Sequence, residues 1–384
     1  MRHDPVETGR SKRPSDLARL QTGALVLIAF AVVLFLLVQA RFVLISLAIA
    51  IILFSLTSDV INFIARQRIG PVRIPNAVAS LAALVLISTA LLILTSIILA
   101  QINTVLVTTI SYAERAPSAV ASLFAWLGDD SQTAISNALR SVDVSSYLRT
   151  AAGQASGITQ GTVLVILFVG FLFVERIWFD TKLQSFIGDK EQADRVNKII
   201  RSIIHRVNYY LLVKTMISAV TGAMTYVLAQ AFGLELATAI GIITFVLNFI
   251  PNIGSIIATG LIALMAHVQF GDAGTTLAIF SISTIIQFVN GSVIDPMLMG
   301  RALRLSSFGI ILFLAFWGAV WGIPGMFLSV PIMVMMLVVC SHVPQLRPFA
   351  VLLSREGLPE SEHMLDHPVD RDLFGQRVDQ AEKD

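Results

Sequence analysis

Of 384 residues, 55% are apolar and only 14% are Asp, Glu, Lys or Arg, with a mean hydropathy of +0.79. Soluble domains carry roughly 25% charged residues, so composition excludes an ordinary soluble fold, and a net charge of +2 points to no strongly charged partner. A single cysteine, Cys340, excludes an internal disulfide framework.

About 20 apolar residues cross a bilayer core, and lipid satisfies no free backbone groups, so each crossing is expected to be a helix. A basic N-terminal segment, residues 1–21, precedes an apolar run over 22–40. A second run, 42–64, begins immediately after Arg41, so the first span is read as uncleaved rather than as a signal peptide. Further runs cover 75–101 and 157–178. The polar, mildly acidic stretch 102–156 carries Val120, Leu123, Phe124 and Leu127 at helical spacing, which predicts short amphipathic helices on the outer surface. Residues 179–208 are basic and cytoplasmic in this reading, suited to anionic headgroups and not to nucleic acid.

A fifth span covers 209–231 and another 274–294. Two further stretches are too long for one helix and too short for two. Residues 236–268 are interrupted at 248–254 by Asn-Phe-Ile-Pro-Asn-Ile-Gly, and residues 306–343 at 318–325 by Gly-Ala-Val-Trp-Gly-Ile-Pro-Gly. Proline removes a donor and crowds the preceding turn, while glycine permits reversal. Paired half-helices turning inside the membrane are predicted, with two kinked spans as the other reading. The hairpin reading makes 209–268 and 274–343 an inverted repeat, an architecture of secondary transporters.

The chain is thus expected to be an all-α, polytopic membrane protein with about six to eight transmembrane segments, two of them broken or re-entrant. Residues 22–208 form a scaffold, 209–343 a transport region, and 344–384 a cytoplasmic, largely disordered tail. With both termini inside, every basic residue except Arg41, Arg115, Arg140, Arg149 and Lys214 falls on the cytoplasmic side.

Charges inside a membrane are functional candidates. Lys214 interrupts an apolar stretch, although its position near the inner end also allows it to snorkel to headgroups. Asp295 closes the 274–294 run; it suits a cation site, a pair with Arg301 or Arg304, or a helix cap. Asn248, Asn252, Gln287 and Asn290 bring neutral amides to the breaks and the sixth span, for a solute or for interhelical hydrogen bonds. Pro251, Gly254, Gly322, Pro324 and Gly325 shape the two turns, and Thr215, Ser218, Thr221, Gly222 and Ala223 place small side chains on one face of the fifth span, suited to close packing. His363 and His367 lie in the acidic tail and are not read as a metal site. There is no Walker loop, dinucleotide fingerprint or serine elbow, so neither enzymatic activity nor a cofactor is expected.

Tyr210-Leu-Leu-Val-Lys214, the Asn248–Ser255 turn, Asp295-Pro296 with Gly300-Arg301, and Phe316-Trp317 with Gly325-Met326 and Pro331 occur in an order that resembles the autoinducer-2 exporter family. The resemblance runs over roughly residues 22–343. It implies a secondary transporter of a bacterial inner membrane that forms homo-oligomers, plausibly pentamers, and assigns the pathway motifs to Pro251, Asn252, Gly254, Asp295, Pro296, Gly300 and Arg301. The expected function is export of a small polar solute such as the quorum-sensing signal autoinducer-2. Sodium/proton antiport is the alternative, and a non-transporting membrane scaffold a third.

Overall fold

The computed structural model describes residues 16–66, 68–69, 72–73, 76–113, 115–122, 128–140, 144–299, 305–355 and 357. Nearly all of them are helical: α1 Asp16–Gln39, α2 Arg41–Arg66, α3 Asn76–Ala113, α4 Ala116–Ser122, α5 Asp129–Arg140, α6 Val144–Glu175, α7 Phe179–Ile187 and α8 Lys190–Ala231. There follow α9 Ala237–Leu247, α10 Ile253–Phe270, α11 Ala273–Val289, α12 Asp295–Met299, α13 Ser307–Trp321, α14 Ile323–His342 and α15 Arg347–Leu353. One two-residue ribbon pairs Arg68–Ile69 with Val72–Arg73.

Seven described helical segments are long and apolar enough to cross a bilayer. Their outward faces carry large apolar side chains, Leu27 at 70% exposure among them. A contiguous surface of that kind needs an apolar solvent. This is a polytopic helical membrane protein.

The first half packs α2, α3 and α6 around small residues. Ala50 and Ala83 are fully buried beside Val165 and Val169, and Phe54 meets Phe173 edge-on at 5.1 Å. Small side chains let helices approach closely where no hydrophobic drive separates protein from lipid. Thr95 and Thr162 hydroxyls, 2.8 Å apart, tie α3 to α6. The stretch predicted as separate surface helices differs from expectation. α3 continues to Ala113 and α6 begins at Val144, so among the described residues only α4 and α5 stand as separate short helices there. The basic segment ahead of the fifth span is likewise α7 plus the start of the 42-residue α8. Hydropathy ends where lipid ends; a helix ends only at a breaker.

Polar clasps join the halves, among them the His267 imidazole of α10, 2.9 Å from both the Ser122 hydroxyl and the Ala119 carbonyl of α4. Ser55 donates to Asn208 Oδ1 at 2.8 Å and Asn208 donates back to the Ser55 carbonyl at 3.1 Å, linking α2 to α8. The Trp321 indole donates to the Leu37 carbonyl at 3.0 Å, linking α13 to α1.

In the second half, α9 and α10 form one hairpin and α13 and α14 another. At about 1.5 Å per residue, the 11 residues of α9 and 15 of α13 are too short for a bilayer core of about 30 Å. Each hairpin is closed at its open end. Gln269 accepts from the Glu235 backbone at 3.0 Å and donates to the Gly233 carbonyl at 2.8 Å. At the other, Ser306 N–H donates to the Leu353 carbonyl at 2.9 Å, and Leu305 and Ser354 form an antiparallel bridge.

Both turns use the same device. A Cβ on Gly254 would lie 1.8 Å from the Leu247 carbonyl oxygen, and one on Gly325 2.0 Å from that of Trp317. The second half-helix therefore presses its backbone directly onto the last turn of the first. The reversals run through Asn252, at φ 61°, and Gly322, at φ 67°; α13 continues through Gly318 to Trp321, so that break is narrower than the sequence suggested. Between the hairpins, Asp272 caps α11, and hydrogen bonds from the Thr275 hydroxyl and from the Thr275 and Gly274 backbones hold its carboxyl below the usual range. That cap is lost as pH falls through the lowered value.

Neither carbonyl beneath these glycines is a flexible atom that can step aside. Gly254→Ala and Gly325→Ala are expected to lower the melting temperature in detergent sharply. Gly260→Ala, with nothing within 4 Å, should raise stability by about 0.5–1 kcal/mol through helix entropy. A Gly254→Ala protein that melts with wild type would refute the hairpin packing.

Candidate functional site

Several buried polar groups of the second half lie along α8 and along the segment from α11 to α12. Two contacts fix the direction of the seam between them. The Tyr209 hydroxyl donates to the Leu298 carbonyl at 2.7 Å, and Lys214 Nζ lies 2.8 Å from Asp295 Oδ2. Partner numbers fall as α8 numbers rise, so the helices run antiparallel.

Lys214 is 4% exposed and Asp295 26%. The lysine therefore does not snorkel; its partner is the Asp295 carboxylate on another helix, while Arg301 and Arg304 lie outside the described residues. The Tyr210 ring lies within the field of the same carboxylate. Desolvating both ions is expensive, and a buried pair repays that only with good geometry.

Above this pair, each of the two helices carries a buried polar stripe. On α8, Lys214, Ser218, Thr221 and Thr225 follow helical spacing and are all buried. Thr221 and Thr225 turn their hydroxyls onto their own helix, to the carbonyls of Ile217 and Thr221. Ser283 and Gln287 of α11 and Asn290, which follows its end, occupy the matching positions and are 1%, 6% and 2% exposed. Counting upward on α8 and downward in number on α11 from the ion pair sets Ser218 near Asn290, Thr221 near Gln287 and Thr225 near Ser283.

A widened turn brings Asp295 onto that stripe. Residues Asn290–Ile294 form a π-turn, and Asp295 N–H donates to the Asn290 carbonyl five residues back. In a regular α-helix, residue 294 would follow 290 on this face. The π-turn substitutes Asp295 for Ile294. Such turns recur at functional positions.

The α11 stripe is also unpaired. Among the described residues, Ser283 Oγ, both polar atoms of Gln287, both of Asn290, Asp295 Oδ1 and Tyr210 Oη are buried without a hydrogen-bond partner. An unsatisfied buried polar group costs about 1–3 kcal/mol, and several in one seam mark a place built for more than packing.

The hairpin tips touch this seam and each other. Asn248, at the end of α9, donates to Ser218 Oγ at 3.1 Å. Its neighbour Phe249 stacks on Phe327 of the second hairpin at 4.6 Å. The junction of the tips is thus aromatic and apolar, whereas the sequence placed the polar groups of the site there. Asn252 and Pro324 are exposed, Pro251 is half-buried, and Gly254 and Gly325 are packing positions. Pro296 is exposed beside Asp295. Gly300 and Arg301 lie outside the described residues. Sequence reading passed over Ser283 and took Ser218 and Thr221 for packing, with Thr215 and Ala223 on the same face. The structure exposes those last two. The i, i+4, i+7 spacing of 283, 287 and 290 was the available signal.

The ion pair makes its own prediction. Lys214→Met should cost about 3–5 kcal/mol by stranding a buried carboxylate, and Lys214→Met/Asp295→Leu should recover most of it. Thermal unfolding in detergent measures both. A single variant as stable as wild type would remove the pair from the fold.

A family model described as the AI-2E family transporter matches residues 25–345. The AI-2 transport protein TqsA of Escherichia coli is 32% identical over 202 residues, 52% of this chain and 57% of that protein. Two relatives carry the name "Putative transport protein". The one from Borreliella burgdorferi is 32% identical over 223 residues, 57% of this chain and 61% of its own. The one from Haemophilus influenzae is 30% identical over 206 residues, 52% and 57%. The matched stretches therefore span about three-fifths of these relatives.

Proposed function

The chain belongs to the AI-2E transporter family, and from that premise we propose that it is a secondary exporter of a small polar solute of the autoinducer-2 kind, in a bacterial inner membrane. The observation that carries this reading is the unpaired polar stripe on α11, closed at one end by Lys214–Asp295 and touched at Ser218 by a hairpin tip. The name of TqsA supports the choice of solute.

In this mechanism α2, α3 and α6 stay fixed as scaffold, and the hairpins move against α8. Shifting the first tip breaks the Asn248–Ser218 bond and the Phe249–Phe327 stack together, which exposes the seam to one side. Two breaks of opposite orientation give each side its own gate, the arrangement of inverted-repeat carriers. The reading includes both termini in the cytoplasm, residues 102–156 outside, and a homo-oligomer, with the pentamer as the leading candidate.

Sodium/proton antiport is the second reading, favoured by one observation: Asp295 keeps a free oxygen beside a buried cation. Asp295→Asn separates the two. Purified protein in liposomes, assayed for autoinducer-2 flux and for sodium flux under imposed gradients, should retain uncoupled solute flux in the variant if solute export is correct. Antiport should collapse and lose its pH dependence. Absence of autoinducer-2 flux in the wild type under every gradient sinks the first reading. Orientation is read by labelling Asp130→Cys, which should react from outside; reaction only from the cytoplasm reverses the topology.

A further inference from the structure

We propose that α4 is a strap across the open end of the first hairpin, and that a proton taken up by His267 fastens it. His267 is 4% exposed and lies in the last turn of α10. α4 follows directly on the scaffold helix α3, and its Ala116 and Ala119 pack against a cluster that includes Leu234, Leu236, Ala266 and Val268. One end of the hairpin is thereby held to the scaffold, with the histidine at the point of contact.

The hydrogen bonds around the ring select its charged form. The Ala119 carbonyl only accepts, and it lies 2.9 Å from Nε2, so Nε2 carries a proton. Ser122, also 2.9 Å from Nε2, donates its own hydroxyl proton to the same carbonyl at 2.7 Å and turns a lone pair to the ring. On the other side Thr276 donates to the Asp272 carbonyl at 2.7 Å, so its oxygen offers Nδ1 a lone pair at 3.3 Å. Each of these partners is an acceptor. A neutral imidazole has one N–H, which leaves lone pair against lone pair at Nδ1 unless Thr276 gives up its carbonyl. The imidazolium donates from both nitrogens and completes the set.

The surrounding charges allow it. The C-terminal end of α10 presents carbonyls that favour a cation there. α3, α4, α9 and α11 carry no Asp, Glu, Lys or Arg, and neither does α8 beyond Lys214. The charged groups at their ends are Glu114 and Arg115 between α3 and α4, Glu235 ahead of α9, and Asp272 at the cap of α11. The Asp272 carboxyl is held below the usual range by its hydrogen bonds, so it stays ionised while a histidine titrates. In the topology proposed above this end of the hairpin faces outward, and acid outside fastens the strap. The strap itself rests on packing; its use as a brake on hairpin movement rests on the transport reading.

Hydrogen–deuterium exchange on the whole protein in detergent tests the strap with no solute present. After correction for the intrinsic pH dependence of exchange, wild-type α4 amides should exchange about tenfold more slowly at about pH 5.5 than at about pH 8, the effect of one hydrogen bond to a charged group. His267→Gln keeps one donor and one acceptor but takes up no proton, so its α4 should exchange equally at both values. Thr276→Val leaves the histidine in place and removes the acceptor at Nδ1; it should lose most of the difference. Should His267→Gln fail to fold, Thr276→Val decides alone. Equal exchange of wild-type α4 at the two pH values overturns the proposal. A difference that survives in either variant also overturns it, because another group would then be titrating. The expected pattern in a protein that moves no solute under any gradient upholds the strap and removes only the transport reading.

Discussion

The second half of the molecule is organised around one largely buried ion pair, its lysine fully enclosed and its aspartate half-buried, in a medium that solvates charge poorly. Lys214–Asp295 joins residues 81 positions apart at 2.8 Å. An ion pair so placed tolerates little slippage, because a shift of one residue along either helix separates the charges without water to receive them. The antiparallel register of α8 and α11 follows from it, and with that register come the stripes of hydroxyls and amides on the two helices. Asn248 then anchors the first hairpin to Ser218, one turn above the pair, and Phe249 carries the linkage to the second hairpin.

The hairpins show a second constraint. A reversal within the membrane must bury the ends of two half-helices at once, and both turns do it by pressing glycine onto a carbonyl from the preceding half. Gly254 against Leu247 and Gly325 against Trp317 are separated by seven and eight residues, a nearly equal step. The same device in two breaks is what an internal repeat would produce. Asn252 belongs to the turn as well: asparagine is among the few residues other than glycine that accept a positive φ. Its identity is explained by backbone conformation before any role toward solute.

Much of the fold was legible because lipid imposes a simple rule on composition. Each apolar run marked a helix, and Pro251, Gly254, Gly322 and Pro324 marked the breaks. Hydropathy did not reveal that α3 and α6 outrun the bilayer, because helical hydrogen bonding continues into water until a breaker intervenes. The site was partly legible. Lys214, Gln287, Asn290 and Asp295 stood out as polar residues in apolar runs, but their grouping depends on a pairing that no local pattern encodes. The amides at the breaks were placed by analogy with exposed backbone, and the structure filled that junction with aromatic rings instead. Hydroxyls on α8 read as small packing residues because serine and threonine serve both purposes at identical spacing.

The π-turn explains why this site needs the sequence Asp295-Pro296 in that order. A proline ring crowds the carbonyl four residues before it, here Ser292, and removes the N–H that would have bonded there. Widening the preceding turn to five residues relieves the crowding, and Asn290–Ile294 is that widened turn. The extra residue rotates everything after it by one position. Asp295, which regular helical spacing would send toward a neighbouring face, falls in line with Asn290 and reaches Lys214. Proline thus acts through geometry upstream of itself, delivering a carboxylate to Lys214 across the seam. A regular helix carrying the same residues would bury isoleucine against the lysine and leave the aspartate to find another partner. The local backbone defect and the buried ion pair are one feature seen at two scales, and the polarity of the seam depends on both.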